Sequence, residues 1–384
     1  MGNVTFYDAI PKYLRGKASL LAKIRSREYQ PGQRLPSVTE IAKAQDVSNI
    51  TARRIMQELV RDGFAYTIPG RGCFVSTATG KAAKRRKGSA SRRIVCILSD
   101  VREDHASPSL LQGFLKITQA KDFSLEIYDT GRDHVRENAF LNKCLKESVA
   151  GVLFIPAGHD RKYKHLFELH KRGIPVVLVD RTIRWYELDS VTSDNVGAVR
   201  EVIRYLVRLG HKNIAYLGLN KDQRISSIIE RNEGYLLGMK DAGIRVHPEL
   251  MLVDDGREYR DNATEVNAKV KRLFSRGRVR PTAVIAPNDW ITIRVFHTLK
   301  SLGIAVPAEV SLVGFDDTID ARTLEVPLTT VQQDWFAMGR RSAKLLLQRV
   351  RERCLGSGTG ISSAQHIRLR TRLIIRQSAR EVQP

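Results

Sequence analysis

The sequence has few cysteines and no long apolar run. Its four cysteines are far apart and form no CxxC pair: Cys73, Cys96, Cys144 and Cys354. This pattern favours reduced thiols over a disulfide framework or a zinc motif. No apolar stretch is long enough to cross a bilayer, and the N-terminus lacks the basic-then-apolar pattern of a secretory signal. We therefore expect a cytoplasmic protein that has no membrane partner.

The motifs of common catalytic sites are also missing. The sequence contains no P-loop, no HExxH, no GxSxG and no GxGxxG after a strand, and its nine histidines show no metal-ligand spacing. The carboxylate pairs Asp254-Asp255 and Asp316-Asp317 are adjacent residues, whose side chains point apart and cannot share a proton. The sequence therefore predicts no enzyme, no metal site and no cofactor.

Acidic residues are scarce at the two ends of the chain. The net charge of +23 divides into 19 Lys+Arg against 6 Asp+Glu in residues 1–93, 34 against 33 in residues 94–339, and 11 against 2 in residues 340–384. A basic N-terminal segment on a neutral body favours a polyanionic partner, most often a nucleic acid. The alternative to a nucleic-acid partner is that the positive charge only keeps the protein soluble.

Two short helices are predicted near the N-terminus. Ser37 and Glu40 have the S-x-x-E spacing of a capping box, which predicts a helix that begins at Val38. Ser48 is a suitable N-cap for a second helix. Four apolar residues of that second helix share one face and are predicted to point inward: Ala52, Ile55, Met56 and Leu59.

Polar residues cluster at the start of the second helix: Asn49, Thr51, Arg53 and Arg54. This is what a helix-turn-helix requires, because its second helix enters the major groove with its N-terminal residues against base edges and phosphates. The stretch "AYTIPGRGCFV" then predicts two strands with a Gly-Arg-Gly tip, from which an arginine can reach a groove or a phosphate.

These pieces resemble the winged helix-turn-helix of the gluconate-repressor (GntR) family. The resemblance rests on "YQPGQRLPS", "IAKAQDVS", "TARR", "LVRDGF" and "PGRGCFV", in that order. Thr39 and Asn49 depart from it, since the family usually has a charged residue and an arginine there, so a different operator sequence is expected. The predicted DNA-contacting residues are Ser37, Ser48, Asn49, Thr51, Arg53, Arg54, Gly70 and Arg71.

From Ile94 onward, short β-branched runs alternate with amphipathic stretches. The runs are "RIVCILSD", "SLEIYDT", "AGVLFIP", "PVVLVD", "NIAYLG", "TAVIAP" and "VSLVGFDD". Such alternation predicts right-handed βαβ units and parallel sheets covered on both faces. A segment of about 290 residues is too long to fold around a single hydrophobic core. We therefore expect an α/β body of two doubly wound subdomains with a cleft between them.

Polar and aromatic residues stand at the ends of several predicted strands, where open parallel sheets bind ligands. Asp180, Asp194, Asn288 and Asp316 are examples. Carboxylates and amides beside an aromatic ring suit a ligand with many hydroxyls, because each hydroxyl both donates and accepts and a sugar ring stacks on tryptophan. Packing in the core is the alternative role for Trp290 and Trp335, and an ion pair across the cleft for Arg231.

The body resembles the effector domain of the lactose/galactose-repressor (LacI/GalR) family, whose fold is that of type I periplasmic sugar-binding proteins. The longest matches are "DSVTSDNVGAVREVIRYLVRLGHKNIAYLG" and "PTAVIAPNDWITIRVFHTLKSLGIAVPAEVSLVGFDDT". The resemblance implies that the effector contacts Asp180, Ser193, Asp194, Arg231, Asn288, Trp290, Asp316 and Trp335. The loop "SDVREDHASPS" departs from the family, so the identity of the sugar is not predicted.

The predicted domains are a winged helix-turn-helix (1–77), a basic linker (78–93) and an effector and dimerisation domain (94–384). By analogy, subdomain one comprises about 94–191 and 333–361, and subdomain two about 192–331 and 362–384. The basic C-terminal stretch "HIRLRTRLIIRQSAR" is thereby expected in subdomain two, as a solvated edge rather than a second DNA site.

A GntR-type head on a LacI/GalR-type sensor is the layout of arabinose repressors of the AraR type. The resemblance implies a homodimeric repressor that binds double-stranded operator DNA and responds to a monosaccharide. The alternative interpretation is a regulator that senses a nucleoside or a sugar phosphate in place of a free sugar. A binding protein for transport is disfavoured, because it would need a secretory signal and would have no use for the helix-turn-helix stretch "LPSVTEIA". An enzyme fused to a DNA-binding head is disfavoured too, because it would need a phosphate-binding loop or a Schiff-base lysine, and the sequence indicates neither.

Overall fold

The computed structural model describes residues 12–61, 64–68, 71–76, 93–99, 106–121, 123–147, 149–159, 162–219, 225–254, 263–276, 279–355 and 363–382. Two compact units divide the chain, Met1–Ala90 and Ser91–Pro384. The predicted basic linker (78–93) lies outside the described part except for Arg93, which is the first residue of a strand, so its other boundary stays a prediction. Within the described ranges, no helix is both long and apolar enough to cross a bilayer.

The first unit contains three helices and a hairpin: α1 (Lys12–Arg25), α2 (Val38–Ala44), α3 (Asn49–Arg61), β1 (Ala65–Ile68) and β2 (Gly72–Val75). The predicted capping box is confirmed, because the Glu40 amide donates to Ser37 Oγ and the Ser37 amide donates to the Glu40 carboxylate. The predicted inward face of α3 is confirmed as well: Ala52, Ile55, Met56 and Leu59 are all buried. Strands β1 and β2 pair antiparallel from Ala65–Val75 to Ile68–Gly72.

The second unit contains two six-stranded sheets. Its strands are β3 (Arg93–Leu98), β4 (Ser124–Asp129), β5 (Gly151–Phe154), β6 (Val176–Val179), β7 (Asp189–Ser193), β8 (Ile214–Leu219), β9 (Met251–Asp254), β10 (Ala283–Ile285), β11 (Ser311–Asp316), β12 (Thr329–Gln332), β13 (His366–Leu369) and β14 (Arg372–Ile374). Its helices are α4 (Ala106–Thr118), α5 (His134–Lys146), α6 (Lys164–Lys171), α7 (Asn195–Arg208), α8 (Ser226–Asp241), α9 (Ala263–Arg276), α10 (Asp289–Ser301), α11 (Ile319–Thr323) and α12 (Trp335–Leu355).

The strand orders confirm the predicted doubly wound α/β class. One sheet runs β13-β7-β6-β5-β3-β4 and is parallel throughout, and the other runs β14-β12-β11-β10-β8-β9, with only β14 antiparallel. Each sheet carries a hydrophobic core on both faces. Buried strands of this kind read as near-continuous β-branched runs, which is why the sequence pattern located them.

The third crossing between subdomains differs from the prediction. Strand β13 pairs with β7 in the first sheet, with His366 opposite Ser190 and Leu369 opposite Ser193, whereas β14 pairs with β12 in the second. The chain therefore crosses between Leu369 and Arg372, and the assignment of residues 366–369 to subdomain two was wrong. The physical reason is that pairing partners, and not local composition, decide the sheet to which a short exposed strand belongs.

Close helix crossings hold each subdomain together. Where α4 crosses α12, a Cβ atom on Gly113 would lie 2.1 Å from the Phe336 carbonyl oxygen, and one on Gly339 would lie 2.0 Å from the Leu110 carbonyl oxygen. The α7–α8 crossing repeats the arrangement with Gly234, whose Cβ would lie 2.7 Å from the Val196 carbonyl oxygen. Only glycine allows two helix backbones to approach this closely.

We predict that Gly113→Ala and Gly339→Ala each destabilise the protein by ~2 kcal/mol, because overpacking against backbone costs ~1–3 kcal/mol and exceeds the gain in helix propensity. The measurement is the midpoint of urea unfolding. Gln112→Ala, at an exposed position of the same helix, is the matched control and should change stability by less than ~0.5 kcal/mol. Unchanged midpoints in both glycine variants would contradict the close crossing.

Candidate DNA-contacting surface and effector cleft

The outward face of α3 is the candidate DNA-contacting surface. Five of its residues are exposed: Asn49, Ile50, Arg53, Arg54 and Gln57. At about 100° per residue they lie opposite the buried apolar face, and Ile50 stands at the centre of this exposed face. Three of the five were predicted from the sequence. Ile50 and Gln57 were missed, although a helical projection of the buried positions would have placed them here.

The first turn of α3 is held by hydrogen bonds among predicted residues. Ser48 Oγ accepts from the Thr51 amide at 3.2 Å and lies 2.9 Å from Thr51 Oγ1. The Ser48 hydroxyl therefore caps the helix, and the Thr51 hydroxyl is hydrogen-bonded to it. Arg54 lies on the far flank, where its guanidinium stacks on the Tyr13 ring of α1 at 4.0 Å from the centroid. This contact gives Arg54 a packing role besides the predicted one.

A cavity of about 600 Å³ is lined by residues of α3, of the hairpin and of the segment that leads into α2. Arg34, Ser37, Arg53, Gln57 and Gly72 contribute to its lining. Gly72 has φ +111°, and a Cβ atom there would lie 2.9 Å from Arg34 Nε, so the arginine lies flat against a position that requires glycine. The cavity thus brings together the predicted residues Ser37 and Arg53 and adds Arg34, which the sequence analysis missed.

The hairpin presents Arg71 to solvent next to β2. Neither Arg53 nor Arg71 forms an ion pair with another described residue. Their charges therefore remain available for an external anion such as phosphate. Gly70, the remaining predicted contact, lies outside the described residues.

A second candidate site lies where the chain crosses between the sheets of the second unit. Five polar residues meet there and are named the hinge cluster: Ser193, Asn195, Arg231, Asp316 and Gln333. Ser193 ends β7 in the first sheet, and Asp316 ends β11 in the second. Gln333 joins them, because its amide nitrogen donates to Asp316 Oδ1 at 2.7 Å and its oxygen accepts from Ser193 Oγ at 2.6 Å.

Arg231 is the centre of the hinge cluster and is only 4% exposed. Its Nε donates to Asn195 Oδ1 at 2.9 Å, and Nη1 donates to the Pro287 carbonyl at 2.5 Å. The guanidinium also lies 3.6 Å from the Phe315 ring centroid and 3.9 Å from Asp316 Oδ1. The predicted residues Ser193, Arg231 and Asp316 therefore come together.

Burial raises the pKa of the Asp316 carboxyl to about 8, against the opposing attraction of Arg231. The nearby charges of Asp289 and Asp180 act in the same direction as burial. Burial also raises the pKa of Glu230, which accepts from Asn195 Nδ2 at 2.8 Å. A protonated carboxyl can donate a hydrogen bond, so at neutral pH this region offers donors as well as acceptors.

Asp180 follows β6 and is 6% exposed, with a φ of +63°. Its Oδ2 accepts from Arg181 Nε at 3.2 Å, whereas its buried Oδ1 has no hydrogen-bond partner among the described residues. A buried carboxylate oxygen without a partner carries a desolvation penalty. A ligand hydroxyl that donates to this oxygen would relieve that penalty.

The other predicted effector residues have structural roles. Asp194 caps α7 by accepting from the Gly197 amide, and Asn288 caps α10 by accepting from the Ile291 amide. Trp290 is half-buried under the guanidinium of Arg294, and Trp335 packs on the core of the first sheet. Among described residues, no hydrogen bond or ion pair joins these four side chains to the hinge cluster. Their predicted roles stay predictions.

Asn195 and Gln333 were missed as site residues. Both occupy the segments in which the chain crosses between subdomains, Asn195 at the start of α7 and Gln333 just after β12. The predicted crossings near residues 191–193 and 331–333 were the available signal. The loop "SDVREDHASPS" cannot be compared, because residues 100–105 lie outside the described part of the chain.

Two domain families match the chain. Residues 12–75 match the gntR family of bacterial regulatory proteins, and residues 203–379 match the periplasmic binding protein-like domain. The arabinose metabolism transcriptional repressor of Geobacillus stearothermophilus is 27% identical over 377 residues, which cover 97% of this chain and 99% of that protein.

Solved structures resemble the second unit. A putative ribose operon repressor from Burkholderia thailandensis superposes with a TM-score of 0.62 at 25% identity, over 74% of this chain and 99% of its own. A LacI family transcriptional regulator from Weissella paramesenteroides, solved with bound sucrose, has a TM-score of 0.62 at 21% identity. The match covers 76% of this chain and 100% of that one, and it shows a likeness of fold alone. The chain therefore combines a segment similar to the gntR family of bacterial regulatory proteins with a segment similar to the periplasmic binding protein-like domain, and over 97% of its length it is similar to an arabinose metabolism transcriptional repressor.

Proposed function

We propose that this protein is a cytoplasmic transcriptional repressor that binds operator DNA as a homodimer and responds to a small carbohydrate. The observation that carries the proposal is the exposed α3 face, where Arg53 forms no ion pair with a described residue, on the same chain as a cluster of buried polar groups at the crossing between two sheets. The first feature suits a polyanion, and the second suits a small ligand with many hydroxyls.

The DNA would be bound by the first unit. Residues 1–93 carry a net charge of +13, and α3 presents its polar N-terminal turn outward. The helix enters the major groove, Arg53 contacts phosphate from the same face, and Arg71 contacts the backbone or the minor groove from the hairpin. Two copies related by a twofold axis would place two such helices on a near-palindromic site.

The effector would bind in the cleft, beside the hinge cluster. Asp180 Oδ1 offers a vacant acceptor, Ser193 offers a hydroxyl, and the Asp316 carboxyl can donate when protonated. A ligand that presents several hydroxyls can meet all three, because each hydroxyl both donates and accepts. Trp290 and Trp335 would supply ring faces at the neighbouring strand ends.

Binding would be coupled to the position of the two subdomains. Hydrogen bonds already cross between them, from Ser193 to Gln333 and from the Thr182 amide to Ser226 Oγ at 2.7 Å. A ligand that exchanges partners with these groups changes the relative stability of the open and closed arrangements. A coupling of ~1–3 kcal/mol would change operator affinity about 5–150-fold.

Fluorescence anisotropy tests the proposal directly. DNA from the region upstream of the coding sequence is titrated with protein, with and without pentoses, hexoses, deoxysugars, uronic acids, nucleosides and sugar phosphates. A shift in DNA affinity with one free sugar supports the proposal, and its direction separates an inducer from a co-repressor. A response to a nucleoside or a sugar phosphate alone would overturn the carbohydrate part, and absence of DNA binding would overturn the whole.

Arg53→Ala combined with Arg71→Ala should abolish operator binding at physiological salt and leave effector affinity intact. Loss of two phosphate contacts from each protomer, four in the homodimer, should also lower the slope of log affinity against log salt by about 3.6. Anisotropy at several salt concentrations measures both effects. The control, Arg351→Ala with Arg353→Ala, removes equal charge from exposed positions of α12 and should bind as the wild type does. Equal loss in both pairs would contradict the assignment to α3 and the hairpin.

Asp180→Asn should raise the Kd of the active sugar about 10–150-fold, because a hydrogen bond to a charged group contributes ~1.5–3 kcal/mol. Asparagine also tolerates the positive φ at this position. Isothermal titration calorimetry measures the change, and DNA binding without sugar should persist. Asp241→Asn breaks a surface pair with Arg200 and is the matched control. An unchanged Kd would remove Asp180 from the site.

Asp316→Asn should flatten the dependence of stability on pH. The carboxyl titrates near pH 4 when unfolded and at about 8 when folded, so the folded state holds the proton between these values and wild-type stability falls as pH rises. Because 28% of the side chain is exposed, water screens part of the effect. Urea unfolding at pH 5, 6, 7 and 8 measures the free energy of unfolding of the wild type and the variant. Parallel pH profiles for the two proteins would contradict a raised pKa at Asp316.

A further inference from the structure

Ile50 is 84% exposed, more than any other large apolar residue that the structure describes. Single exposed apolar residues are common on protein surfaces, so exposure alone identifies no site. The position is more informative. Ile50 is the second residue of α3 and lies at the centre of the face opposite the buried residues Ala52, Ile55 and Leu59.

Asn49 precedes it and begins the helix. Its side chain is exposed and makes no hydrogen bond to another described residue. A free amide can form a bidentate pair with N6 and N7 of adenine, whereas an arginine prefers guanine O6 and N7. Asparagine at this position therefore favours adenine as the base that it contacts.

The other groups of the first turn are already engaged. The hydroxyls of Ser48 and Thr51 lie 2.9 Å apart, and the Ser48 oxygen also accepts from the Thr51 amide. Arg53 follows on the same face but borders the cavity beside the hairpin, a position suited to phosphate. One free amide and one free alkyl group therefore remain at the tip of the helix to meet bases.

We infer that Asn49 and Ile50 read A·T pairs in the major groove of each half-site, Asn49 by bonding adenine and Ile50 by packing on a thymine methyl group. This inference rests on the proposed function. Thymine is the only base that presents a methyl group in the major groove, and an apolar side chain is the natural partner for it. The two residues are adjacent, so the pairs they read lie next to or near one another.

The test uses the full-length protein and a duplex selected from a randomised pool. Each thymine of the selected duplex is then replaced by deoxyuridine, which removes only the methyl group, and each adenine by 7-deazaadenine, which removes the N7 acceptor. For the wild type we expect one thymine per half-site at which deoxyuridine weakens binding about fourfold, as for one buried methyl group.

Ile50→Ala should bind thymine and deoxyuridine equally at that position, whereas Ile319→Ala, an equal change at an exposed residue of α11, should behave as the wild type. Asn49→Ala should lose its sensitivity to 7-deazaadenine at one adenine, and Asn49→Arg should select guanine there, with a discrimination of at least about fivefold.

An unaltered ratio of thymine to deoxyuridine binding in Ile50→Ala, or a selected half-site without A·T pairs, would overturn the inference while salt-dependent DNA binding still supported the proposed function. If the wild type selects no duplex at all, the proposed function fails, and the inference fails with it.

Discussion

The second unit depends on the hydrogen bonds that surround the buried guanidinium of Arg231. Burying a charge is unfavourable unless hydrogen bonds replace the lost water. Asn195, the Pro287 carbonyl and the Phe315 ring provide that replacement from three separate elements, so the start of α7, the start of α10 and the end of β11 must adopt one arrangement. Asp316, at 3.9 Å, is close enough to interact and too far for a strong hydrogen bond.

This arrangement limits how an effector can act. Two of the nitrogens of Arg231 are already committed, so a ligand that reaches the arginine must compete with Asn195 or Pro287 or use the remaining nitrogen that faces Asp316. Each exchange disturbs a hinge residue, because Asn195 bonds Glu230 and Asp316 bonds Gln333, which in turn accepts from Ser193 of the other sheet. Under the proposed function, a ligand bound here would therefore act on the position of the subdomains through these same hydrogen bonds.

The sequence predicted the fold well where local chemistry determines it. The β-branched runs became the central strands, and Ser37 with Glu40 capped α2 as expected. Prediction failed where a distant partner decides: residues 366–369 pair with β7, and nothing in their own composition indicates that choice. Gln333 was missed for the same reason, because its role comes from Ser193 and Asp316, 140 and 17 residues away along the chain.

Charge pairing explains why the two basic ends of the chain differ. At the C-terminal end, Arg349 forms a bidentate pair with Asp189 at 2.7 and 2.8 Å, and Arg376 bonds Asp317 at 2.5 Å. These arginines neutralise carboxylates of the body and fasten the last segments to both sheets. In the first unit, Arg53 and Arg71 form no such pair with a described residue. Basic residues therefore have two physical roles in this chain: Arg349 and Arg376 fasten segments of the second unit, whereas the unpaired charges of Arg53 and Arg71 are available to an external anion.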